Sequence, residues 1–328
     1  MENSKKDIIT LAMGSGGIEM DELIKSFKFD NRGNWLNYDN DSATFNLNKN
    51  HKLVFTTDSF TIDPIFFPGG DIGKIAVCGT INDLSVMGAE PIGLSLGFVI
   101  EEGLPKADLQ KIVESINKIS IETNIPIATG DTKVMEKGKL DKIIINVSGI
   151  GIVKNEVFLD KEIKPGDKLI ISGGLGEHAV ALLSKRFDYQ TNIITDSKPL
   201  LKEMREIRKH IKFAKDPTRG GLAAVLNEIS GKYNIGFNLV EEDIPAKKEV
   251  RKVTEMLGIN MYELACEGRI ICICSSENAD IVVSKLKQYN PDAAIIGEVT
   301  LDKKVVLKTF LGSRILPHPS GRIVPRIC

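Results

Sequence analysis

The sequence holds little that would suit a nucleic acid, a membrane or an oxidising compartment. Its 43 basic and 44 acidic side chains leave a formal net charge of −1. That balance offers no positive footprint for a phosphate backbone, and no stripe of basic and aromatic residues substitutes for one. No apolar run approaches the roughly eighteen residues of a membrane span. The first residues, Met1-Glu2-Asn3-Ser4-Lys5-Lys6-Asp7, lack the apolar centre of a secretion signal, so a cytoplasmic protein is expected. Cysteine is scarce: five residues, at 78, 266, 272, 274 and 328, make an odd count with no CxxC spacing and no disulfide framework. Cys272-Ile273-Cys274 reads as part of a buried strand in which cysteine serves as a small hydrophobe, because no histidine cluster completes a zinc site.

What is present is ordinary globular chemistry. Hydrophobic residues make up 42% and charged residues 27% of 328 positions, a length that favours two domains. Strand-like and helix-like segments alternate, so the class is α/β (α+β). In the first half, strands are expected at 53–57, 92–100 and 142–152. Between them lie helices at 72–87 and 106–123, the second with Leu109, Ile112, Val113, Ile116 and Ile119 on one face. Lys164-Pro165-Gly166-Asp167 is turn chemistry before a new strand at 168–172. The second half then reads as helices at 177–185, 200–211 and 217–230, and strands at 269–275, 294–299 and 304–309. The expected division is 1–155, 156–310 and a flexible tail, 311–328.

Four aspartates stand in loop or helix-start contexts: Asp58 in Thr57-Asp58-Ser59, Asp83 beside Asn82, Asp131 in Gly130-Asp131-Thr132-Lys133, and Asp216 in Asp216-Pro217-Thr218-Arg219-Gly220-Gly221. Carboxylates drawn from separate elements suit Mg²⁺ with a nucleotide, because Mg²⁺ takes one or two carboxylates plus phosphate oxygens. Asp216 before proline could instead be a plain helix N-cap. Asp83 beside Asn82 in mid-helix is harder to read as structural, since neither residue favours that place. Gly14-Ser15-Gly16-Gly17 precedes a helix and would let backbone N–H groups approach an anion, though it is not a P-loop. Gly173-Gly174-Leu175-Gly176 is an incomplete dinucleotide fingerprint and reads as a turn.

The last twelve residues, from Pro317 to Cys328, contain three prolines and a glycine and read as an extended arm ending in a thiol. Such an end can enter a deep pocket without threading further chain through it. A cysteine in last place is also compatible with chance.

Together these pieces resemble a known family. Asp71-Ile72-Gly73-Lys74 through Asn82-Asp83-Leu84-Ser85-Val86-Met87-Gly88-Ala89 is similar to the ATP-binding helix of aminoimidazole ribonucleotide synthetase, selenophosphate synthetase and thiamine-monophosphate kinase. Phe60-Thr61-Ile62-Asp63-Pro64, continuing to Gly70, then Asp216 to Leu222, then Pro325-Arg326-Ile327-Cys328, narrow the resemblance to the HypE family of hydrogenase maturation carbamoyl dehydratases. It covers about Ile8 to Cys328. One departure is Met13, where the family usually has histidine.

The resemblance implies a two-domain synthetase-like fold, with the N-terminal sheets of two protomers forming a barrel in a homodimer. It implies ATP-dependent dehydration of a carbamoyl group on Cys328 to a thiocyanate, with ATP and Mg²⁺ as cofactors. A HypF-type carbamoyltransferase would load the sulfur, and a HypC–HypD scaffold would receive cyanide for [NiFe] hydrogenase iron. Asp58, Asp83 and Asp131 are then the metal carboxylates, and Gly14, Ser15, Gly16, Gly17, Asn82 and Asp216 the nucleotide-side residues. Lys133 would neutralise developing charge, unless it is a solvated lysine. Glu267, in Ala265-Cys266-Glu267-Gly268-Arg269, would be the base, unless it is a surface glutamate at a strand entry. Two alternatives are a superfamily synthetase acting on a free small molecule, against which no cysteine precedes Cys78, and a non-catalytic cysteine carrier.

Overall fold

Residues 143–154 alternate between core and outer face: Ile143, Ile145, Val147, Gly149, Gly151 and Val153 are buried. This period of two marks a sheet covered on one side only. The structure, a computed structural model, describes residues 8–27, 29, 31–37, 39–154, 161–321, 324 and 326–328. The N-terminal segment 1–7, the expected division at 155/156, and Arg322, Ile323 and Pro325 of the tail lie outside the described residues.

The first half comprises α1 (Ile18–Ser26), β1 (Trp35–Leu36), β2 (Ala43–Asn48), β3 (His51–Phe60), β4 (Phe66–Phe67), β5 (Gly70–Asp71) and α2 (Ile72–Val86). β6 (Glu90–Glu101), α3 (Lys106–Thr123), β7 (Ile127–Met135) and β8 (Ile143–Lys154) complete it. Six strands form one sheet in the order β1-β2-β3-β8-β6-β7. Its pairs are antiparallel except β6 with β7, which the α3 crossover joins in parallel. Asp71 caps α2, its carboxylate accepting from the N–H groups of Gly73 and Lys74. α2 is apolar around its circumference and buried, lying between the sheet, α3 and the second half. Gly149 allows this close approach, since a Cβ there would lie 2.9 Å from both Leu84 Cδ1 and Thr80 Cγ2.

The second half comprises β9 (Lys168–Ile171), α4 (Glu177–Arg186), α5 (Leu201–Ile207), β10 (Phe213–Lys215), α6 (Gly221–Tyr233), β11 (Gly236–Val240) and α7 (Lys248–Leu257). It ends with β12 (Ile271–Cys274), α8 (Ala279–Lys287), β13 (Ala294–Thr300), β14 (Val305–Thr309) and β15 (Gly312–Ile315). Seven strands form a sheet in the order β10-β12-β9-β13-β11-β14-β15. Cys272 and Cys274 sit in a buried apolar cluster with Ile170 and Ala214, the role of small hydrophobes.

Four expectations need correction. Asp58 lies within β3 rather than after it. Asp131 is not in a loop: it is in β7, at the edge of the sheet. The helix expected from Pro217 begins at Gly221, after a turn in which Gly220 takes the left-handed φ of 78°. The tail does not leave the body at residue 311, because Gly312–Ile315 first turns back on β14 as a hairpin.

The two halves meet along α2. Asn82 donates to the carbonyls of Lys198 and Glu267 and accepts from the Leu200 N–H, fastening mid-helix to the second half. Arg205 and Arg208 both grip Glu90, and Lys215 reaches Asp41.

Candidate active site

Burying a carboxylate without a partner is expensive, so buried and half-buried carboxyls crowded together call for a cation or a proton. Such a cluster lies where α2, β3 and the turn before α6 converge. The Thr56 hydroxyl donates to Asp83 Oδ2 at 2.8 Å. Burial, and then the neighbouring Asp216, Asp41 and Asp58, hold the Asp83 carboxyl well above the ordinary range. Asp216 is 2% exposed with Oδ2 unpartnered. Burial and the charge of Asp41 push it up to about 8, against the opposing pull of Lys215. It is no N-cap, since α6 begins five residues later. Asp58 is likewise raised by burial, with Arg219 opposing from 3.6 Å. Like charges that raise one another's proton affinity and an orphaned carboxylate oxygen form the donor set a divalent cation would satisfy.

The tail runs into this place. Thr61 N–H donates to the main-chain carboxylate of Cys328 at 3.1 Å and Asp63 N–H to the carbonyl of Arg326 at 3.2 Å. The Arg326 side chain donates back to the Thr61 carbonyl and pairs with Asp141. Cys328 is 7% exposed, its thiol raised by burial and by Glu267, Asp58 and Asp216, and lowered by Arg219. Glu267 is buried with Oε1 unpartnered. Burial first, then Asp216, Asp196 and Asp58, hold its carboxyl well above the ordinary range, while Arg219 opposes. It is therefore not a surface glutamate.

The glycine loop borders the same place. A Cβ on Gly16 would lie 2.6 Å from the Arg219 carbonyl carbon, and one on Gly17 would lie 2.5 Å from the Pro319 oxygen. Ile18 N–H, the first of α1, donates to that oxygen at 3.0 Å. The Ser15 hydroxyl turns inward to the Leu11 carbonyl. A Cβ on Gly14 would face open space. Asn82 is present, but its amide is engaged by backbone.

Asp131 and Lys133 are not brought in. They pair with each other at 3.0 Å, with side chains 71% and 69% exposed. The register explains why. Asp58 shares the helix-covered face with Val147, Leu96 and Gly130, whereas Asp131 aligns with Gly97, Asn146 and Ser59 on the open face. Sequence reasoning missed Asp41, Lys215 and Arg219. Asp41 sits in a polar run that looks like a solvated turn, while Arg219 stood within a quoted motif without a role. Among the described residues, Asp21, Glu228 and His318 form a separate group able to reach one cation.

Two α/β halves around a carboxylate cluster define a synthetase of the AIR synthase related class. The N-terminal domain model of that class matches residues 39–153 and its C-terminal domain model 164–309. The chain is 41% identical to "Carbamoyl dehydratase HypE" of Rhizobium leguminosarum bv. viciae, over 98% of this chain and 95% of the relative. It matches HypE in a crystal structure of a HypE–HypF complex with TM-score 0.83 and 42% identity, covering 92% of this chain and all of that one. A HypE structure in complex with ATP matches with TM-score 0.81 and 38% identity, covering 98% of this chain and all of that one. The chain belongs to the HypE family of carbamoyl dehydratases.

Proposed function

We propose that this chain uses ATP to dehydrate a carbamoyl group on the Cys328 sulfur to a thiocyanate, providing cyanide for the iron of a [NiFe] hydrogenase. The observation that carries this reading is a buried thiol set among Arg219, Glu267, Asp58 and Asp216. Family membership and the ATP-bound relative support it.

The chemistry asks for what the site contains. An amide oxygen leaves poorly, so it is first phosphorylated: the carbamoyl oxygen takes the γ-phosphoryl group, ADP leaves and one N–H proton is lost. The C–O bond then breaks, phosphate departs and the second N–H proton leaves, giving S–C≡N. Glu267 has the raised proton affinity a proton acceptor needs, and it is near enough to the thiol to raise it. Arg219 supplies a fixed positive charge where the transferred group must sit, so we assign it the role expected of Lys133. Asp58, Asp83 and Asp216, with Asp41 beside them, would hold Mg²⁺, which when bound neutralises the nucleotide phosphates. Filling that site would also remove two of the like charges that raise Glu267, leaving it free to accept a proton. The Gly16–Gly17 backbone borders this space.

Asp131 and Lys133 stand on the open sheet face, the face a second protomer would cover in a homodimer. A HypF-type carbamoyltransferase as the loading partner is supported by the relative crystallised with HypF. A HypC–HypD scaffold as acceptor, and a cytoplasmic setting, follow from the same reading. No described helix is long and apolar enough to cross a membrane.

The experiment is ATP turnover with and without a carbamoylated tail. Turnover only with carbamoylated Cys328 supports the proposal. No turnover in either state would make the chain a carrier, and turnover surviving Cys328→Ala would make it a synthetase for a free small molecule.

A further inference from the structure

The tail has one contact that leads elsewhere. His178, in the first turn of α4, is fully buried. Its Nε2 lies 2.7 Å from the Ile327 carbonyl oxygen and its Nδ1 2.8 Å from the Thr195 hydroxyl. A carbonyl can only accept, so Nε2 carries the proton and Nδ1 accepts from Thr195. The Thr195 oxygen in turn accepts from the Ser197 N–H at 3.1 Å. Phe67 meets the imidazole edge-on at 5.5 Å and fixes its plane.

The same short segment grips Glu267 from its other side. Asp196 Oδ1 accepts from the Glu267 N–H at 3.1 Å. Gly268 fits against it so closely that a Cβ would lie 1.9 Å from the Asp196 carbonyl oxygen. Asn82 binds the carbonyls of both Lys198 and Glu267. Residues 195–198 are thus held at one end by the histidine that reads the tail and at the other by the turn that carries the base.

We propose that His178 is a positioning residue that registers the seated tail through the Ile327 carbonyl and, through Thr195–Lys198, couples that seating to the placement of Glu267. The proposal deepens the reading of Cys328 as an internal substrate and rests on it. Other described ties of the tail run to the first half, through backbone pairing at Thr61 and Asp63, the Arg326 side chain on the Thr61 carbonyl, and Ile18 and Glu19, while Arg186 at the far end of α4 donates to the Arg326 carbonyl. His178 differs from Arg186 in also bonding Thr195, and so joins the tail to the segment that holds the base. Donation to a main-chain oxygen is indifferent to what the sulfur carries, so the device would work for free, carbamoylated and cyanated tails alike.

Thiol labelling of the full-length protein tests this without any turnover. Cys78, Cys266, Cys272 and Cys274 are fully buried, so alkylation of Cys328 by iodoacetamide, followed on its proteolytic peptide, reports tail release. His178→Ala should label at Cys328 about fivefold faster than wild type, the change one ordinary hydrogen bond makes. Continued protection of the other four cysteines shows that the variant is folded. His178→Gln, which keeps an N–H donor near the Nε2 position, should return close to the wild-type rate. His178→Asn, which does not reach, should behave like alanine. Hydrogen exchange at the Glu267 amide should quicken by about the same factor in His178→Ala. Wild-type labelling in His178→Ala, or equal rates for the Gln and Asn variants, would reduce His178 to packing. Unchanged exchange at Glu267 would overturn the coupling. Because neither readout needs carbamoyl chemistry, its failure is distinct from failure of the proposed function.

Discussion

Arg219 and Cys328 are electrostatic partners: burial pushes the thiol up, and the guanidinium pulls it back. In the proposed reaction the same side chain would meet the transferred phosphoryl group. Arg219→Gln should therefore lower the single-turnover rate of dehydration by about a hundredfold, the scale of losing one aligned charge in an enclosed site. The KM for ATP should change far less. A rate within twofold of wild type, by mass of the tail peptide, would remove Arg219 from the chemistry.

Asp216 gives a pH signature. Below the ordinary carboxylate range both folded and unfolded chains carry the proton, and burial costs nothing electrostatic. Between that range and about 8 the unfolded chain has ionised while the folded carboxyl keeps its proton, so stability falls as pH rises and levels off once the folded carboxyl ionises too. The metal-free protein should therefore melt lower at pH 9 than at pH 6, and Mg²⁺ with ATP should narrow the gap. Calorimetry in buffers of different ionisation heat should show proton release on Mg²⁺–ATP binding at pH 7.

Asp83 and Asn82 are neighbours with opposite tasks. Asp83→Asn replaces a carboxyl whose ionisation burial and its acidic neighbours oppose, so the melting temperature should hold or rise while Mg²⁺–ATP affinity falls at least about tenfold. Asn82→Ala leaves the Leu200 N–H and two carbonyls without their partner, at a cost of about 2 kcal/mol or more in chemical denaturation. Equal stability losses in both variants would contradict this division.

Glu267→Gln keeps shape and burial but cannot accept a proton as a carboxylate does. Carbamoylated or phosphorylated tail should accumulate in intact mass spectra after ATP is added, whereas full conversion at the wild-type rate would take the base role away from Glu267.

How much of this was legible depended on the range of the contact. Asp58, Asp83 and Asp216 are legible as carboxylates drawn from separate elements, and Asp83 most clearly because neither it nor Asn82 favours mid-helix, whereas Asp216 also suits an N-cap. The arm ending in Cys328 could be read from its prolines. β7 is invisible in the sequence, because an edge strand exposed along nearly its whole length carries no alternation of apolar residues, and Asp131 therefore reads as a loop residue. The start of α6 slipped because proline suits a first helical position, while the left-handed Gly220 defers the helix to Gly221. Asp41, Lys215 and His178 owe their meaning to partners more than a hundred residues away, which no local pattern records.

The central claim is that Cys328 is substrate and the rest of the chain its enzyme. The most direct test is the mass of the Cys328 peptide after the chain is incubated with a HypF-type carbamoyltransferase, carbamoyl phosphate, ATP and Mg²⁺. The account predicts a carbamoyl adduct on Cys328 that loses one water when this chain's site is intact and keeps it in Glu267→Gln. An adduct that persists unchanged in the wild-type protein, with ATP still consumed, would contradict it.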